Sequence, residues 1–247
     1  MPIFNRLRLQ AIQTVKTRKY LMYALGEIVI IVIGIFIALN LNNWNDKGHD
    51  RAIEIKTLEE LKYGLVDDLI DIRLNLTYYR AGKKSSDLLK AHIKNNLPYH
   101  DSLDIHFGKF TLFAILLVRT GPFETLKSRG METITNDSLR LKIASIYDIN
   151  YKHLNEFQKG FDYQNAYDNK KMYLTKFKDW RLHKSATPLN YKKLKNNNEF
   201  LNLLNFTSDS QAISIYQYQL AVTKCVELIS EIEQEINRLR KKTKPVV

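Results

Sequence analysis

The chain has little of what disulfide-bonded or cysteine-ligated domains require. Its 247 residues include one cysteine, Cys225, which excludes an intrachain disulfide and a cysteine-based metal cluster. Nine glycines and five prolines are few for this length. Because these residues punctuate strands and hairpins, their scarcity favours helices. Cys225 itself is expected to be a small buried residue on a helix.

Common catalytic and cofactor-binding motifs are also missing. The sequence contains no H-E-x-x-H, no glycine-rich phosphate loop, no G-x-S-x-G and no paired Cys/His spacing. In "HDSLDIH", residues 100 to 106, His100 and His106 with Asp101 and Asp104 could form a metal site only if the loop folded back. Loop and helix-start residues are the favoured interpretation. We therefore predict a non-catalytic protein with no cofactor and no metal.

Apolar residues are abundant near the start. The segment from Leu21 to Leu41 contains one charged residue, Glu27. As a helix rising 1.5 Å per residue, it is about 30 Å long, the thickness of a bilayer's hydrocarbon core. A cleavable signal peptide is the alternative, but its apolar run is shorter, and "IALNLNNWND" has no A-x-A pattern. We predict a retained transmembrane helix over residues 21–41.

Flanking charges give the orientation of this helix. The residues before it include five basic side chains and no acidic one, whereas "NNWNDKGHDRAIE" after it is nearly balanced. The basic residues are Arg6, Arg8, Lys16, Arg18 and Lys19. The positive-inside rule therefore predicts a cytoplasmic arm over residues 1–20 and an exported domain over residues 42–247.

Glu27 lies on the same face of the predicted span as Gly34 and Ala38. Gly34 and Ala38 form a small-xxx-small pair, which lets two helix backbones approach closely in lipid. One hypothesis is a packing face for a second copy or a membrane protein partner, with Glu27 hydrogen-bonded across it. The other is that Glu27 extends towards the headgroups and nearby basic residues. The sequence leaves both open.

Two stretches resemble a known family. "KYLMYALGEIVIIVIGIFIALNLNNWND" and "FETLKSRGMETITNDSLRLKIASIYD", residues 123 to 148, are similar to recurring segments of uncharacterised bacterial envelope proteins, domain of unknown function 6090. The resemblance implies a single-pass protein of the inner membrane with a helical periplasmic domain. It supplies no catalytic residues.

Spacing in the exported part predicts helices. Apolar residues recur every three or four positions over residues 50–80, which indicates a long amphipathic helix that can continue the span as a stalk. These are Leu58, Leu61, Leu65, Leu69, Ile72, Leu76 and Tyr79. "AGKKSSD" is expected to end it, with Ser86 or Asp87 capping a short helix to about Asn95. A buried core helix containing "FTLFAILLV" is then predicted over residues 103–119.

The sequence after residue 119 also reads as helical. Pro122 and Gly130 are expected to begin and end one helix. The next begins at Asn136 or Asp137 and reaches about Trp180, with a break allowed near Gly160. A loop, a short helix over 197–206 and a final long helix capped near Ser208 or Asp209 follow. The predicted fold is all-α, a transmembrane helix followed by an antiparallel helical bundle.

Two polar clusters have both functional and structural interpretations. Glu124, Lys127, Ser128 and Arg129 are a candidate interaction site, although helix capping and a packed turn explain them equally well. "LVDDLID" places Asp67, Asp68 and Asp71 close together on a helix. A solvated face near Lys62 or Arg73 is favoured there over acid–base catalysis.

Charge adds one more candidate. The formal net charge is +12, and residues 170–195 contain nine Lys or Arg and one Asp, interleaved with aromatic residues. A candidate anionic-surface site consists of Lys170, Lys171, Lys178, Trp180 and Arg181. Outside the cytoplasm its partner would be lipid headgroups or acidic glycans, so no nucleic acid is expected. The alternative is a solvated face whose aromatic residues belong to the core.

Two function classes follow. The first is a membrane-anchored interaction or structural module. The second is a ligand-sensing helical bundle that signals through a membrane partner, since only about 20 residues lie on the cytoplasmic side of the predicted span. A concave pocket would favour sensing, and a flat apolar patch would favour docking.

Overall fold

Helices make up most of the chain, as predicted. The computed structural model describes residues 15–160 and 164–243 and divides the chain into two units, Met1–Ile53 and Glu54–Val247. The first 14 residues of the predicted cytoplasmic arm lie outside the described residues. In chain order the elements are α1 (Val15–Lys94), α2 (Leu103–Lys109), α3 (Gly121–Arg129), a 3₁₀ turn (Met131–Thr133), α4 (Asp137–Ala144), a π-helical segment (Ser145–Tyr151), α5 (Lys152–Gln158), α6 (Gln164–Lys176), β1 (Phe177–Arg181), β2 (Ser185–Pro188), α7 (Tyr191–Leu194) and α8 (Asn198–Thr243).

Helix α1 carries the apolar segment in the first unit. It contains an 18-residue window of mean hydropathy 2.5, and none of that window is buried. By length and composition it is therefore a candidate to cross a membrane.

Within the second unit, α1 supplies one wall of the core. Its seven predicted apolar positions are all buried, from Leu58 to Tyr79. The predicted end of the helix at "AGKKSSD" is wrong, because α1 continues to Lys94. Gly82 lies against α8 there, and a side chain at this position would overlap the amide of Gln211. Ser86 is buried inside the helix and is not a cap.

Residues 112–120, which we call the strap, replace the second half of the core helix predicted over residues 103–119. Helix α2 ends at Lys109, and the strap that follows is neither helix nor strand. Its burial alternates: Leu112, Ala114 and Leu116 are buried, whereas Ile115 and Leu117 are exposed. This period of two is that of an extended chain.

The predicted boundaries of the next helices are mostly confirmed. Pro122 lies in the first turn of α3, and Gly130 ends it with φ of +105°. Asn136 caps α4 by accepting a hydrogen bond from the Leu139 N–H at 3.2 Å. Helical turns then continue without interruption to Gly160. The predicted break near Gly160 adjoins residues 161–163, which lie outside the described residues.

A β-hairpin takes the place of the helix end predicted near Trp180 and of the loop predicted at "KSATPLN". Strands β1 and β2 pair antiparallel, with Phe177 opposite Pro188 and Arg181 opposite Ser185. The ladder is irregular between Lys178 and Arg181, where Asp179 has φ of +52°.

The last helix, α8, is longer than predicted. It begins at Asn198 and includes Ser208 and Asp209, so neither residue is a cap. It runs antiparallel to α1, because Glu59 pairs with Arg240 near one end and Ser86 with Gln211 near the other. The predicted bundle of long helices is not confirmed, since the strap, the hairpin and several short helices pack beside this pair. Two apolar clusters form the core, one around α1 and α8 and one around α2, α6 and the hairpin.

Candidate functional site

The strap is held to α1 by carboxylates. Asp68 Oδ1 accepts a hydrogen bond from the Arg119 N–H at 2.9 Å, and Asp71 Oδ2 accepts one from the Leu117 N–H at 3.0 Å. Asp68 is fully buried, and Asp67 lies 3.5 Å from the Arg119 guanidinium. The solvated acidic face predicted from "LVDDLID" is therefore wrong for Asp68 and Asp71, which supply acceptors to a backbone that has no ladder of its own.

Amide and hydroxyl side chains bind the strap's carbonyl groups. Asn75 Nδ2 donates to Ile115 O at 3.0 Å, and the Tyr79 hydroxyl donates to Ala114 O at 3.0 Å. From α8, Gln211 Nε2 donates to Leu112 O at 3.2 Å and to Phe110 O, two residues before the strap, at 2.6 Å. The spacing of these side chains in the sequence did not indicate that they bind the strap, because each forms a hydrogen bond with a residue far away in the chain.

Two buried side chains near Asp68, Tyr151 and Cys225, are of types that can act as nucleophiles. The Tyr151 hydroxyl lies 2.8 Å from Cys225 Sγ, and Cys225 is a buried residue on α8, as predicted. Burial raises the pKa of Asp68 and of Tyr151, and it raises the pKa of the Cys225 thiol to about 11. Each shift favours the neutral form, so the thiol is protonated at neutral pH and closed off from solvent.

The polar residues of the 123–148 patch make contacts within the fold. Lys127 Nζ lies 3.9 Å from the Glu124 carboxylate and 5.3 Å above the ring of Phe123. Ser128 Oγ donates to Thr125 O at 2.8 Å, and Arg129 Nη1 donates to Thr57 Oγ1 of α1 at 3.4 Å. The packed-turn interpretation accounts for these contacts.

"HDSLDIH" does not come together around one point. His100 Nδ1 lies 2.9 Å from Ser102 Oγ, and His106 Nδ1 lies 3.2 Å from Ser85 Oγ. Asp104 accepts from the Tyr99 hydroxyl at 2.7 Å and burial lowers the pKa of His106. Over residues 15–160 and 164–243, His, Cys, Asp and Glu side chains form no group of three that could hold a metal ion.

Cations and aromatic rings separate in the basic segment. The charged members of the candidate anionic-surface site are exposed: Lys170, Lys171, Lys178 and Arg181. Trp180 is half-buried and stacks on Tyr173, with ring centroids 4.5 Å apart and an interplanar angle of 2°. Its ring therefore packs against the core and is only partly accessible beside the lysines.

A cavity of about 370 Å³ lies beside this stack. Its walls come from α6, the hairpin and the residues that begin the strap, and they include Phe113, Asn169, Tyr173, Trp180 and His183. His183 has φ of +59°, a left-handed conformation that non-glycine residues seldom adopt. Burial lowers the pKa of His183, which favours the uncharged imidazole. Of the residues that line this cavity, Trp180 and Lys170 were predicted from the sequence, but as members of the candidate anionic-surface site.

A row of exposed apolar residues runs along α1 in the second unit. We call it the α1 stripe: Tyr63, Val66, Ile70, Leu74 and Tyr78, which are 38–69% exposed. Steps of three and four residues place them on one helical face. The stripe faces away from the core formed by Leu65, Leu69 and Ile72.

The predicted packing face of the span is open. Glu27, Gly34 and Ala38 are exposed, and a side chain added at Gly34 would meet nothing within 4 Å. The large apolar side chains from Leu25 to Leu41 are 52–71% exposed. This part of α1 therefore offers an apolar surface over its whole circumference.

Comparison with known proteins gives a family match. The model of a family of unknown function, DUF6090, matches residues 27–210. This range takes in the strap, the 123–148 patch and the hairpin. No curated protein and no solved structure matches the chain.

Proposed function

The chain belongs to the DUF6090 family of unknown function, and on that premise we propose that it is a membrane-anchored, non-catalytic interaction module of the bacterial cell envelope. Its single span holds a helical domain outside the cytoplasm. The observation that carries the proposal is the apolar surface of α1 between Leu25 and Leu41, exposed by more than half. An exposed apolar surface this large is rare in soluble proteins, so something is expected to cover it. The length of the run matches the thickness of a bilayer, which would hide it from water.

The orientation follows from the basic residues before the span. A reporter active only in the cytoplasm, fused to the C-terminus, should be silent, and one active only after export should be active. The control is the same pair of fusions placed before residue 21. A cytoplasmic signal from the C-terminal fusion would contradict export, and a cleaved, membrane-free product would mean that the segment is a signal peptide.

For the docking partner we propose a second copy of the chain, which binds through the α1 stripe. The stripe residues recur every three or four positions, as in helices that pack against each other. Identical anchors place two copies in one membrane plane with equivalent stripes at equal heights, which raises their effective concentration. An isologous contact then buries the same residues on both copies.

Energy transfer in lipid vesicles tests this contact. Copies carrying donor or acceptor fluorescent proteins at the C-terminus should show transfer that Ile70→Glu reduces strongly, because the contact would then bury a carboxylate. Leu141→Glu is the matched control, since Leu141 is an aliphatic residue of similar exposure on α4, 69% against 61% for Ile70. Equal transfer from both variants would refute the stripe contact. If native copies show no transfer but a different protein is captured only when Ile70 is intact, the occupant is that protein and not a second copy.

The cavity beside Trp180 supports a second candidate function, a ligand-sensing domain that signals through a membrane partner. It is concave and of a size that holds small molecules, about 370 Å³. The two functions are separable by experiment, because the cavity residues and the α1 stripe do not overlap.

A further inference from the structure

The turn of the β-hairpin exposes a leucine between two cations. Leu182 follows Arg181, the last residue of β1, and is 63% exposed. The Lys184 N–H donates to Arg181 O at 2.9 Å, which closes the turn. Between them, His183 has φ of +59° and its ring meets the ring of Phe113 edge-on, with centroids 6.0 Å apart. The turn is therefore held against the fold while its leucine remains in contact with solvent.

Four exposed cations lie near this leucine, and we call the five residues the basic tip: Lys170, Lys178, Arg181, Leu182 and Lys184. Lys178 lies on the same face of the hairpin as Arg181, because their ladder partners are two residues apart on β2. Lys170, on α6, lines the same cavity as Leu182. The fold thus gathers cations from α6 and from both sides of the turn around one apolar side chain.

The four cations form no ion pair with the carboxylates that the structure describes. Helix α4 provides a contrast, since Leu141 is also exposed and also lies between two cations. There, however, Arg140 pairs with Asp137 at 2.6 Å. Lys142 pairs with Glu231 at 2.5 Å. The basic tip therefore differs from this ordinary surface leucine in the positive charge that surrounds it.

We propose that the basic tip docks onto an anionic lipid bilayer, with Leu182 among the headgroups and the cations on the lipid phosphates. Each Lys or Arg close to an anionic bilayer adds to the attraction. An apolar side chain that enters the boundary between headgroups and acyl chains is removed from water. Repulsion is small, because Asp179 is the one acidic residue among residues 170–195. This contact goes beyond the proposed interaction module and shares no residue with the α1 stripe.

The leucine distinguishes a bilayer from a soluble polyanion such as an acidic glycan. A polyanion in water is held by the charges of Lys and Arg, and this attraction weakens as salt screens it. It offers no apolar phase to Leu182. Binding to a bilayer should therefore depend on both the cations and the leucine, whereas binding to a polyanion should depend on the cations alone.

Trp180 lies two residues before Leu182 and can report contact between the basic tip and lipid. With Trp44→Phe it is the only tryptophan of the whole chain, which is held in phosphatidylcholine nanodiscs. Brominated phosphatidylglycerol should quench its emission, supplied either in the nanodisc or in added vesicles, and 1 M salt should reduce the quenching. Brominated phosphatidylcholine at the same content should quench much less. Equal quenching by the two lipids, or none by either, would overturn the proposal.

Matched variants test the two parts of the basic tip. Leu182→Ser should weaken binding to phosphatidylglycerol about tenfold, because an apolar side chain no longer leaves water. Leu141→Ser is its control and should bind as the native chain does, since Leu141 is 69% exposed on α4. Arg181→Gln with Lys184→Gln should weaken binding about 25-fold, or about fivefold for each cation.

The control for the double variant is Arg140→Gln with Lys142→Gln, which removes the same net charge from α4 and should have little effect. All these side chains are on the surface, and near-ultraviolet circular dichroism checks that each variant folds. If Leu182→Ser binds phosphatidylglycerol as tightly as the native chain, the leucine does not enter lipid and the proposal is wrong. Binding of dextran sulfate without quenching by either brominated lipid would identify a soluble polyanion as the partner and would also overturn it.

Discussion

Asp68 gives the most specific test of how the strap is held. It is fully buried, its Oδ1 accepts the Arg119 N–H at 2.9 Å, and its carboxylate lies 3.7 Å from the Arg119 guanidinium. Burial raises the pKa of Asp68, although the Arg119 N–H and guanidinium partly offset this. The hydrogen bond at Oδ1 therefore stabilises the strap, whereas the negative charge costs free energy.

Two substitutions separate the hydrogen bond from the charge. Asp68→Asn keeps an acceptor for Arg119 and removes the charge, so its free energy of unfolding at pH 7 should equal or exceed that of the native chain. Asp68→Leu is of similar size but removes the acceptor of the Arg119 N–H in a part-buried hydrogen bond, which costs about 1–3 kcal/mol. We expect the leucine variant to be less stable than the asparagine variant by about that amount.

The sign of the pH dependence follows from the raised pKa. Between the pKa of Asp68 in the unfolded chain and its higher value in the folded chain, the folded state binds more protons, so stability rises as pH falls. The native chain should thus gain stability relative to Asp68→Asn as the pH is lowered from 7 through the folded pKa. Below the pKa of the unfolded chain the difference should stay constant.

Urea unfolding of the whole chain in mild detergent, followed by near-ultraviolet circular dichroism, measures these differences through the packed aromatic residues. Asp67→Asn is the control, because Asp67 is 60% exposed and its ion pair with Arg119 should contribute less than about 1 kcal/mol. If Asp68→Asn were as destabilising as Asp68→Leu at every pH, the ionised carboxylate would be the stabilising form and the reasoning would be wrong.

Three further predictions concern the predicted span, the domain predicted to be exported and one turn. Cut after Asp46, the remaining chain should be soluble, strongly helical by circular dichroism and cooperatively folded, and a strand-dominated spectrum would contradict the fold. Gly34→Ile should weaken self-association of the span in a membrane two-hybrid assay, because a branched side chain separates the backbones, whereas Ile35→Val should not. Gly130→Ala should cost about 1–3 kcal/mol in thermal unfolding because φ there is +105°, and Gly121→Ala, which meets nothing within 4 Å, should change stability by less than about 1 kcal/mol.

Local signals in the sequence predicted local features of the fold. The apolar period of α1 identified its buried face, and Pro122, Gly130 and Asn136 marked helix ends that the structure confirms. Each of these rests on residues within one or two turns of each other. Such signals fail when a distant residue overrides them. At Gly82 the sequence predicted a helix end, but the helix continues, and the glycine is accounted for by the close approach of Gln211.

The strap could not be predicted because its partners are distant in sequence. "FTLFAILLV" is apolar on both faces, so its composition fits a buried helix as well as an extended chain. An extended chain away from a sheet needs other partners for its backbone groups. The strap finds these partners in the side chains of Asp68, Asp71, Asn75 and Gln211. In the sequence, the spacing of the two aspartates predicted only a solvated helix face.

The 123–148 patch shows how a family-like motif can reflect the architecture of the fold. Its Thr135 N–H and hydroxyl both donate to Glu54 Oε1, at 2.8 and 2.9 Å, and Asn136 Nδ2 donates to Glu235 Oε2 at 3.2 Å. Glu54 on α1 and Glu235 on α8 are buried, so the turn before α4 ties the two longest helices together. Replacing Thr135 by a residue without a hydroxyl group would remove one of the two donors to the buried Glu54 carboxylate, which is a sufficient physical reason for such a motif to recur. Residues that no fold contact explains are therefore the better guide to function, and Asn169 in the cavity wall and Ile70 on the α1 stripe are two such residues in the described chain.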